Sequence, residues 1–327
     1  MHVLIVNNTS IPVQKYGGTE RVIWWLGKQL VNMGHKVSYL VAAGSYCDFA
    51  NVYTLNPNVP FNKQIPENVD VVHLNCEVNE TPKIPYILTI HGNSNEKKPL
   101  DINAVFVSAN HAARFGSTSF VHNGIDPDDY GDPGLNKQRN YFHFLGDAAW
   151  RVKNVRGAIK IAQIAKIPLR VIGGVRFNFN QGIRLTFDTR IQFDGMQGGV
   201  VKNEILKHSK GLIFPVLWHE PFGISIVESL YFGCPVFGTP YGSLPEIVNS
   251  DVGFLSNSTS ELVDAIKHVD SYSKKFCHEY VMNHFSSKQM GQSYVEKYEM
   301  VLNGSHLNYT NPILKELQSV KFLPFTN

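Results

Sequence analysis

The sequence predicts an α/β protein with two domains, each built on a doubly wound parallel sheet. In the first part, strand-like apolar runs (HVLIVNN, KVSYLVA, DVVHLN, YILTIHG and AVFVSA) alternate with helical periodicity, as over Glu20 to Met33. A second series follows in YFHFLG, LRVIGG, IQFDG, GLIFPVL and CPVFGTP, separated by predicted helices at 155–165 and 261–269. A length of 327 residues also exceeds one ordinary core, which agrees with two domains.

The linker between the domains is expected within residues 126–139 (DPDDYGDPGLNKQR). This stretch is rich in Gly, Pro, Asp and Asn, which suit turns and cannot continue a sheet. We therefore expect an N-terminal domain over residues 1–136 and a C-terminal domain over residues 137–307.

Composition and charge exclude several functional classes. The 30 Lys and Arg residues against 27 Asp and Glu give a net charge of only +3, and they are scattered, so no nucleic-acid groove is expected. The first residues run straight into a strand-like stretch without a basic region or an 18-residue apolar span, which predicts neither a signal peptide nor a membrane helix, and hence a cytoplasmic location. The four cysteines (Cys47, Cys76, Cys234 and Cys277) are far apart, so reduced thiols and no zinc site are expected.

The most informative motif runs from Trp218 to Glu246 (WHEPFGISIVESLYFGCPVFGTPYGSLPE). Its Pro-Phe-Gly turn precedes an apolar helical pattern, and glycine there lets a ligand approach the backbone. Glu228 would lie about 7 Å along the helix from Gly223, while Glu220 precedes the turn. A diphosphate at the helix N-terminus would sit between two carboxylates able to accept hydrogen bonds from sugar and ribose hydroxyls. The E-x7-E spacing alone favours a buried helix with a solvated glutamate and an ordinary βα turn.

This motif as a whole, E-P-F-G with Glu228 eight residues after Glu220, then G-x-P-V and G-S-L-P-E, resembles the retaining glycosyltransferases of family 4 (glycosyl transferases group 1). The resemblance implies the GT-B architecture, in which two Rossmann-like domains face a central cleft. It implies transfer of a sugar, with retention of configuration, from a UDP- or GDP-linked donor to a hydroxyl of a glycan, a lipid-linked or a small-molecule acceptor, without a metal or other cofactor. Cell-surface glycan biosynthesis, peripheral contact with the inner face of the membrane, and packing of residues 308–327 on the N-terminal domain are further implications.

The resemblance also assigns roles around the donor. Glu220 would orient the sugar and Glu228 the ribose. The turn between them would hold the phosphates through Pro221, Phe222, Gly223 and Ile224. Glu246 resembles a residue that caps the nucleotide pocket, although a structural turn explains it nearly as well.

Gly17 and Gly18 precede a predicted helix after the first strand. The segment lacks G-x-G-x-x-G, which argues against a nicotinamide-dependent dehydrogenase. Two glycines fit a plain turn as well, but the resemblance places this loop beside the donor phosphates and the acceptor.

His91 ends the run PYILTIHG, where a parallel strand would deliver it to the ligand-binding edge of the sheet. A hydrogen-bonded residue without a catalytic role fits this position equally well. The resemblance implies a histidine beside the transferred sugar, which makes His91 a candidate catalytic residue.

The resemblance implies that the segment FLGDAAWRVKN carries two basic residues that neutralise the leaving diphosphate. Lys153 matches the second, but Asp147 stands where the first is expected, and its charge is reversed. Arg151 is the candidate replacement because a guanidinium suits phosphate oxygens. Solvated loop charges on an inactive protein are the alternative.

Two other functions remain as alternatives to a transferase. They are a nucleotide-sugar epimerase of the same architecture and a catalytically inactive nucleotide-sugar-binding protein.

Asp126 and Asp128 form a D-x-D sequence, which holds a divalent cation in some enzymes. Within HNGIDPDD, turn propensity explains these acids, and no metal ligand is expected.

Overall fold

The computed structural model describes residues 1–13 and 17–326, and confirms an α/β protein with two six-stranded parallel sheets. The first 126 residues form β1 (His2–Val6), α1 (Gly18–Asn32), β2 (Lys36–Val41), β3 (Asn51–Thr54), β4 (Val71–Leu74), β5 (Tyr86–Ile90), β6 (Ala104–Phe106) and α2 (Ala109–Arg114). The next part forms β7 (Tyr141–Leu145), α3 (Val155–Ala165), β8 (Leu169–Ile172), β9 (Phe177–Asn178), β10 (Arg184–Leu185), β11 (Ile191–Gly195), α4 (Gly199–Lys207) and β12 (Ser209–Phe214). It is followed by α5 (Ile224–Tyr231), β13 (Val236–Gly238), α6 (Leu244–Ile247), β14 (Gly253–Leu255), α7 (Thr259–Lys267), α8 (Lys274–His284) and α9 (Ser287–Leu302).

The first sheet has the order β3-β2-β1-β4-β5-β6, and every pair is parallel. All five residues of β1 are buried, as expected for the central strand of a sheet covered on both faces. The chain reverses direction across the sheet between β1 and β4, so a crevice opens at their carboxyl ends. His91 follows β5 directly at this edge.

Helix α9 completes the core of the first sheet although it comes last among the helices. It packs on α1 and β5. The Tyr298 hydroxyl lies 2.7 Å from His73 Nδ1, and the Thr89 hydroxyl lies 2.7 Å from His73 Nε2 and 3.0 Å from the Tyr294 hydroxyl. These buried hydroxyls satisfy both ring nitrogens of His73 on the central strand β4.

The second sheet repeats the same order, β11-β8-β7-β12-β13-β14, again entirely parallel. Its reversal point lies between β7 and β12. The loops after these two strands carry Asp147, Arg151 and Lys153 on one side and Glu220 on the other. The topology therefore brings both parts of the predicted donor site to one edge.

The two compact units have different bounds from the domains expected from the sequence. The first comprises residues 1–13, 17–126 and 285–318; the second comprises 127–284 and 319–326. The expected linker, residues 126–139, begins at this division. Residues 127–136 are expected in the first domain but pack with the second unit, because the buried Tyr130 contacts Glu228. Residues 285–307 join the first unit because α9 packs on its helices and strands.

The C-terminal segment is divided between the units and contains no helix among residues 303–326. The Ile313 amide donates to the Phe115 carbonyl at 2.9 Å in the first unit. In the second unit, the amides of Leu323 and Thr326 each donate at 2.8 Å, to the carbonyls of Leu217 and Asn257. Only residues 308–318 of the expected 308–327 pack with the first unit, and Asn327 lies outside the described residues. None of the helices in the described parts of the chain is both long and apolar enough to cross a bilayer.

Candidate active site

Lys153 and Glu220 form a buried ion pair at the carboxyl edge of the second sheet. Lys153 lies in a short 3-10 helix after β7 (Arg151–Lys153), and Glu220 lies in the loop after β12. Lys153 Nζ donates to Oε1 and Oε2 of Glu220 at 2.8 and 2.7 Å. Only 11% of the lysine side chain and 6% of the glutamate side chain are exposed. Two residues predicted to bind different parts of a donor thus contact each other directly.

Aromatic rings surround this pair and limit its contact with water. Lys153 Nζ lies 5.2 to 5.3 Å from the ring centroids of Trp150, Phe214 and Trp218. The Trp218 indole N–H donates to Glu220 Oε2 at 2.7 Å, and the rings of Trp150 and Trp218 lie 4.8 Å apart. These rings strengthen the interaction of the ammonium with its surroundings and fix the carboxylate in one orientation.

The turn between Glu220 and α5 contains a glycine in the left-handed region of backbone conformation. Gly223 precedes the helix with φ 86° and ψ 71°, which a side chain would disfavour. The first-turn amides of a helix lack intrahelical partners, so this end of α5 can receive an anion. Pro221 and Phe222 are buried and Ile224 is partly exposed.

The loop that carries Glu220 is held against the segment from Tyr241 to Ser243. The Ser243 amide donates to the Glu220 carbonyl at 2.9 Å, and its hydroxyl donates to the Phe222 carbonyl at 2.6 Å. Gly242 has φ 66°, and a Cβ there would lie 2.3 Å from both the backbone N and O of Glu220. Any side chain at residue 242 would therefore displace the glutamate.

Gly242→Ala is expected to destabilise the protein by about 3 kcal/mol, because a left-handed conformation and a core overlap each cost roughly 1–3 kcal/mol. Gly131→Ala is the matched control, since Gly131 has φ 64° and nothing within 4 Å of an added Cβ. The control variant should lose only the stability that the left-handed conformation costs, without the cost of the overlap. Urea unfolding of both variants measures the difference, and equal losses would contradict the proposed clamp on Glu220.

The carboxyl end of α5 is anchored by two buried side chains. The Arg139 guanidinium donates to the carbonyls of Phe232 at 2.6 Å and Gly233 at 3.1 Å, just after the helix. His143 on β7 lies 2.8 Å from the Ser229 hydroxyl through Nε2 and 2.6 Å from the Ser209 hydroxyl through Nδ1. A cation near the last carbonyls of a helix is favourable, so Arg139 stabilises α5, the helix at which the donor site is predicted.

Glu228 is buried in α5 and has partners that the sequence does not indicate. Tyr130 donates its hydroxyl to Glu228 Oε1 at 2.8 Å, and Lys202 from α4 forms an ion pair with the same oxygen. The Lys202 side chain is 4% exposed, and its Nζ lies 5.2 Å from the Tyr130 ring centroid. The carboxylate is therefore neutralised and oriented by a lysine and a tyrosine of the same unit.

Asp147 and Arg151 differ in their surroundings. Asp147 Oδ1 accepts a hydrogen bond from the Ala149 amide at 2.9 Å, so the acid shapes the turn after β7. Arg151 is exposed, and its guanidinium lies 4.8 Å from the ring centroid of Phe322. Arg151 thus lies two residues from Lys153 on a shared 3-10 helix, with its charged group towards solvent.

In the first unit, His91 lies beside Asn75 at the carboxyl ends of neighbouring strands. His91 Nε2 is 2.8 Å from Asn75 Oδ1, and the Asn75 amide nitrogen donates to the carbonyls of Val6 and His73 at 3.3 and 3.4 Å. These two bonds orient the amide so that Oδ1 accepts a hydrogen bond from the Nε2–H group of His91. Burial lowers the pKa of His91 to about 4, so the ring is neutral at pH 7 and Nδ1 is a hydrogen-bond acceptor.

Gly17 and Gly18 form the start of α1. Gly17 precedes the helix with φ 151°, and a Cβ there would lie 2.8 Å from Glu20 Oε2. Glu20 Oε1 accepts a hydrogen bond from the Thr9 hydroxyl at 2.9 Å, which joins the first helical turn to the loop after β1. Gly18 has nothing within 4 Å of an added Cβ, so this position has open space.

The D-x-D residues have separate structural environments. Asp126 is buried and pairs with Lys28 at 2.7 Å, whereas Asp128 is exposed in a 3-10 turn (Pro127–Asp129). Within residues 1–13 and 17–326, no three His, Cys, Asp or Glu side chains are grouped as metal ligands. Glu246 lies partly exposed in the short helix α6.

Residues 127–280 match the family model described as glycosyl transferases group 1. The matched part includes Lys153, Glu220 and Glu228, and confirms the resemblance to this group. No curated protein matches the sequence.

Solved structures with a similar fold extend over nearly the whole chain. AviGT4, a glycosyltransferase involved in avilamycin A biosynthesis, has a TM-score of 0.74 at 18% identity, covering 93% of this chain and 98% of that chain. Sucrose-phosphate synthase from Thermosynechococcus elongatus has a TM-score of 0.70 at 15% identity, with 93% and 100% covered. HepE from Anabaena, solved in complex with UDP-glucose, has a TM-score of 0.63 at 14% identity, with 91% and 99% covered. These likenesses show a shared fold, that of GT-B glycosyltransferases.

Proposed function

We propose that this chain is a retaining, metal-independent glycosyltransferase of family 4. The match to glycosyl transferases group 1 and the buried Lys153–Glu220 pair occur in the same unit, which supports this proposal. The enzyme moves a sugar from a UDP- or GDP-linked donor to an acceptor hydroxyl. The acceptor is a glycan, a lipid-linked or a small molecule in cell-surface glycan biosynthesis. The enzyme works in the cytoplasm and contacts the inner face of the membrane peripherally.

The donor phosphates bind at the N-terminal end of α5, beside Gly223. Backbone amides and the helix dipole attract the anion, and Lys153 supplies a positive charge that a water-poor environment strengthens. Arg151 supplies a second cation from the same 3-10 helix and takes the place of the one lost at Asp147. Negative charge on the departing diphosphate is thereby stabilised without a metal.

The two glutamates position the rest of the donor. Glu220, fixed by Lys153 and the Trp218 indole, accepts hydrogen bonds from hydroxyls of the transferred sugar. Glu228 accepts those of the ribose, and its contacts with Lys202 and Tyr130 hold the carboxylate in place for that purpose. Positioning of this kind lowers the barrier by fixing the reacting groups before the reaction.

The acceptor approaches from the side on which the diphosphate leaves, which preserves the configuration of the sugar. A phosphate oxygen of the donor takes the proton of the acceptor hydroxyl as the new glycosidic bond forms and the bond to the diphosphate breaks. Neither Glu220 nor Glu228 carries that proton. His91, neutral and held by Asn75, contacts the sugar, and Gly17 and Gly18 admit the phosphates and acceptor close to the backbone.

The observation that carries this proposal is the contact of Lys153 with Glu220 immediately before the turn into α5. A buried charge needs a compensating partner, and these two are joined where a phosphate and a sugar would meet. HepE was solved in complex with UDP-glucose. The ligand of HepE supports a nucleotide-sugar donor for this chain, which has a similar fold.

Thermal unfolding with UDP, GDP, ADP and their sugar conjugates, with and without EDTA, tests the donor site. A ligand at about 100 times its Kd should add roughly 2.7 kcal/mol of stability. Selective stabilisation by one nucleotide, unaffected by EDTA, is the expected result. Glu228→Gln should abolish it, while Glu204→Gln, at a largely exposed glutamate of the same unit, should retain it.

The products then separate the transferase from its alternatives. Proton NMR of the product formed from the selected donor and an acceptor panel should show the anomeric configuration of the donor. A change of sugar configuration without any acceptor would identify an epimerase. Nucleotide binding without release of nucleotide from any donor and acceptor combination would support an inactive binding protein and overturn the proposed activity.

A further inference from the structure

The hairpin of β9 and β10 carries its apolar residues on the solvent side. Side chains alternate between the two faces of a strand, and a hairpin over a core normally buries the apolar face. Here Asn178, Arg184 and Thr186 are buried, while the apolar residues between and beside them are exposed. The exposed set, from 48% to 75% exposed, is Val175, Phe177, Phe179, Ile183, Leu185 and Phe187.

Hydrogen bonds of the inner face hold the hairpin in this orientation. Arg176 donates to the carbonyls of Thr186, Asp188 and Ile191, the first at 3.0 Å. Arg184 donates to the Val175 carbonyl at 2.8 Å. Both guanidiniums lie over the Phe193 ring of β11, at 5.7 and 4.7 Å. Because these contacts hold the inner-face arginines within the unit, the apolar face remains available to a partner.

The charge of the hairpin indicates which partner it fits. The exposed arginines beside the apolar face are Arg156 of α3, which donates to the Ile183 carbonyl, and Arg190, which pairs with Asp188. Arg176 and Arg184 belong to the inner face and add positive charge behind it. A second copy would place the same positive charge against this surface, which is unfavourable. Phenylalanines beside arginines instead suit a bilayer with anionic headgroups, where apolar side chains enter the interface and cations remain near phosphate.

The hairpin also lies next to the donor site. It follows β8 at the carboxyl edge of the second sheet, and a Cβ on Gly182 would lie 3.9 Å from Arg151 Cδ. We propose that the outer face of this hairpin docks the enzyme on an anionic lipid bilayer. The proposal gives a surface to the peripheral membrane contact of the proposed function, and it places the transfer site close to acceptors held in the membrane.

Flotation of the full chain with phosphatidylcholine vesicles, with and without phosphatidylglycerol, tests the docking surface. The protein should float with the anionic vesicles, and high salt should reduce the bound fraction. Phe179→Ser combined with Phe187→Ser should weaken binding roughly tenfold or more, because each ring no longer leaves water. A control variant, Tyr309→Ser with Leu317→Ser, removes exposed apolar groups of the first unit and should float as the wild type does.

Nucleotide-dependent thermal stabilisation, measured on both double variants, separates this proposal from that for the donor site. It should be unchanged, because neither hairpin phenylalanine is assigned to donor binding. Equal flotation of the hairpin variant and wild type, or no flotation of the wild type with anionic vesicles, would overturn the docking surface. Concentration-dependent dimers that the hairpin variant abolishes would assign the face to a second copy and also overturn it.

Discussion

Lys153→Met should lower kcat/KM roughly 100- to 1,000-fold, the usual cost of losing one group that stabilises charge in a transition state. Lys153 is the buried cation that the proposed mechanism assigns to the phosphates, and methionine retains much of its length and apolar contact. The variant should also be less stable by about 3–5 kcal/mol, because Glu220 is left buried with its ammonium partner removed. Steady-state turnover with the selected donor and urea unfolding measure the two effects.

The double variant Lys153→Met with Glu220→Gln separates catalysis from folding. Removing both charges should recover much of the lost stability while turnover stays low. Lys267→Met, at a lysine whose side chain is 62% exposed in the same unit, controls for the loss of one positive charge. Recovery of wild-type turnover in the double variant would show that the pair serves folding alone.

Acidification from pH 7 to pH 5 should lower the free energy of unfolding by about 7 kcal/mol, chiefly through three buried histidines and the partly buried His91. Burial lowers the pKa of His73, His111 and His143 to about 3, and that of His91 to about 4. In the unfolded chain these rings titrate near pH 6.5 and bind protons that the folded state rejects. Their stabilising effect is complete above pH 6.5 and is lost as the pH falls towards 4, by roughly 2 kcal/mol per ring at pH 5.

Urea unfolding at several pH values between 7 and 5 measures this loss. His143→Gln should flatten the dependence by up to about 1.4 kcal/mol per pH unit, because glutamine does not titrate. His268→Gln, at an exposed position, serves as the control for the substitution itself. Stability that does not change between pH 7 and 5 would show that the buried rings are not neutral in the folded protein.

The sequence predicts the sheets well because their signals are local. Strands such as β1 and β12 are short apolar runs, and α3 begins and ends where periodicity places it. The position of α9 is not predictable in this way, since its partners His73 and Thr89 lie more than 200 residues earlier. The orientation of the hairpin of β9 and β10 is also not predicted. Its alternating apolar residues indicate a buried face, but these residues are exposed in the structure.

Within the site, the sequence predicts the residues but not their partners. Glu220 and Lys153 are recognisable from motifs, yet their contact joins loops after β7 and β12, and only the sheet order shows that these strands are neighbours. Lys202 carries no motif, so the sequence does not predict its ion pair with Glu228. The indole of Trp218 has a usable signal, since it stands two residues before Glu220 in the same loop.

The chain passes between the two units at residues 126–127, 284–285 and 318–319, so the first unit contains α9, a helix encoded near the end of the chain. During translation, the ribosome synthesises β1 to β6 long before the tyrosines that cover His73 exist. The sheet of the second unit is complete earlier, within the continuous stretch 127–284. We therefore expect nascent chains that stop at residue 284 to contain a structured second unit. The first unit should resist proteolysis only after α9 leaves the ribosomal exit tunnel.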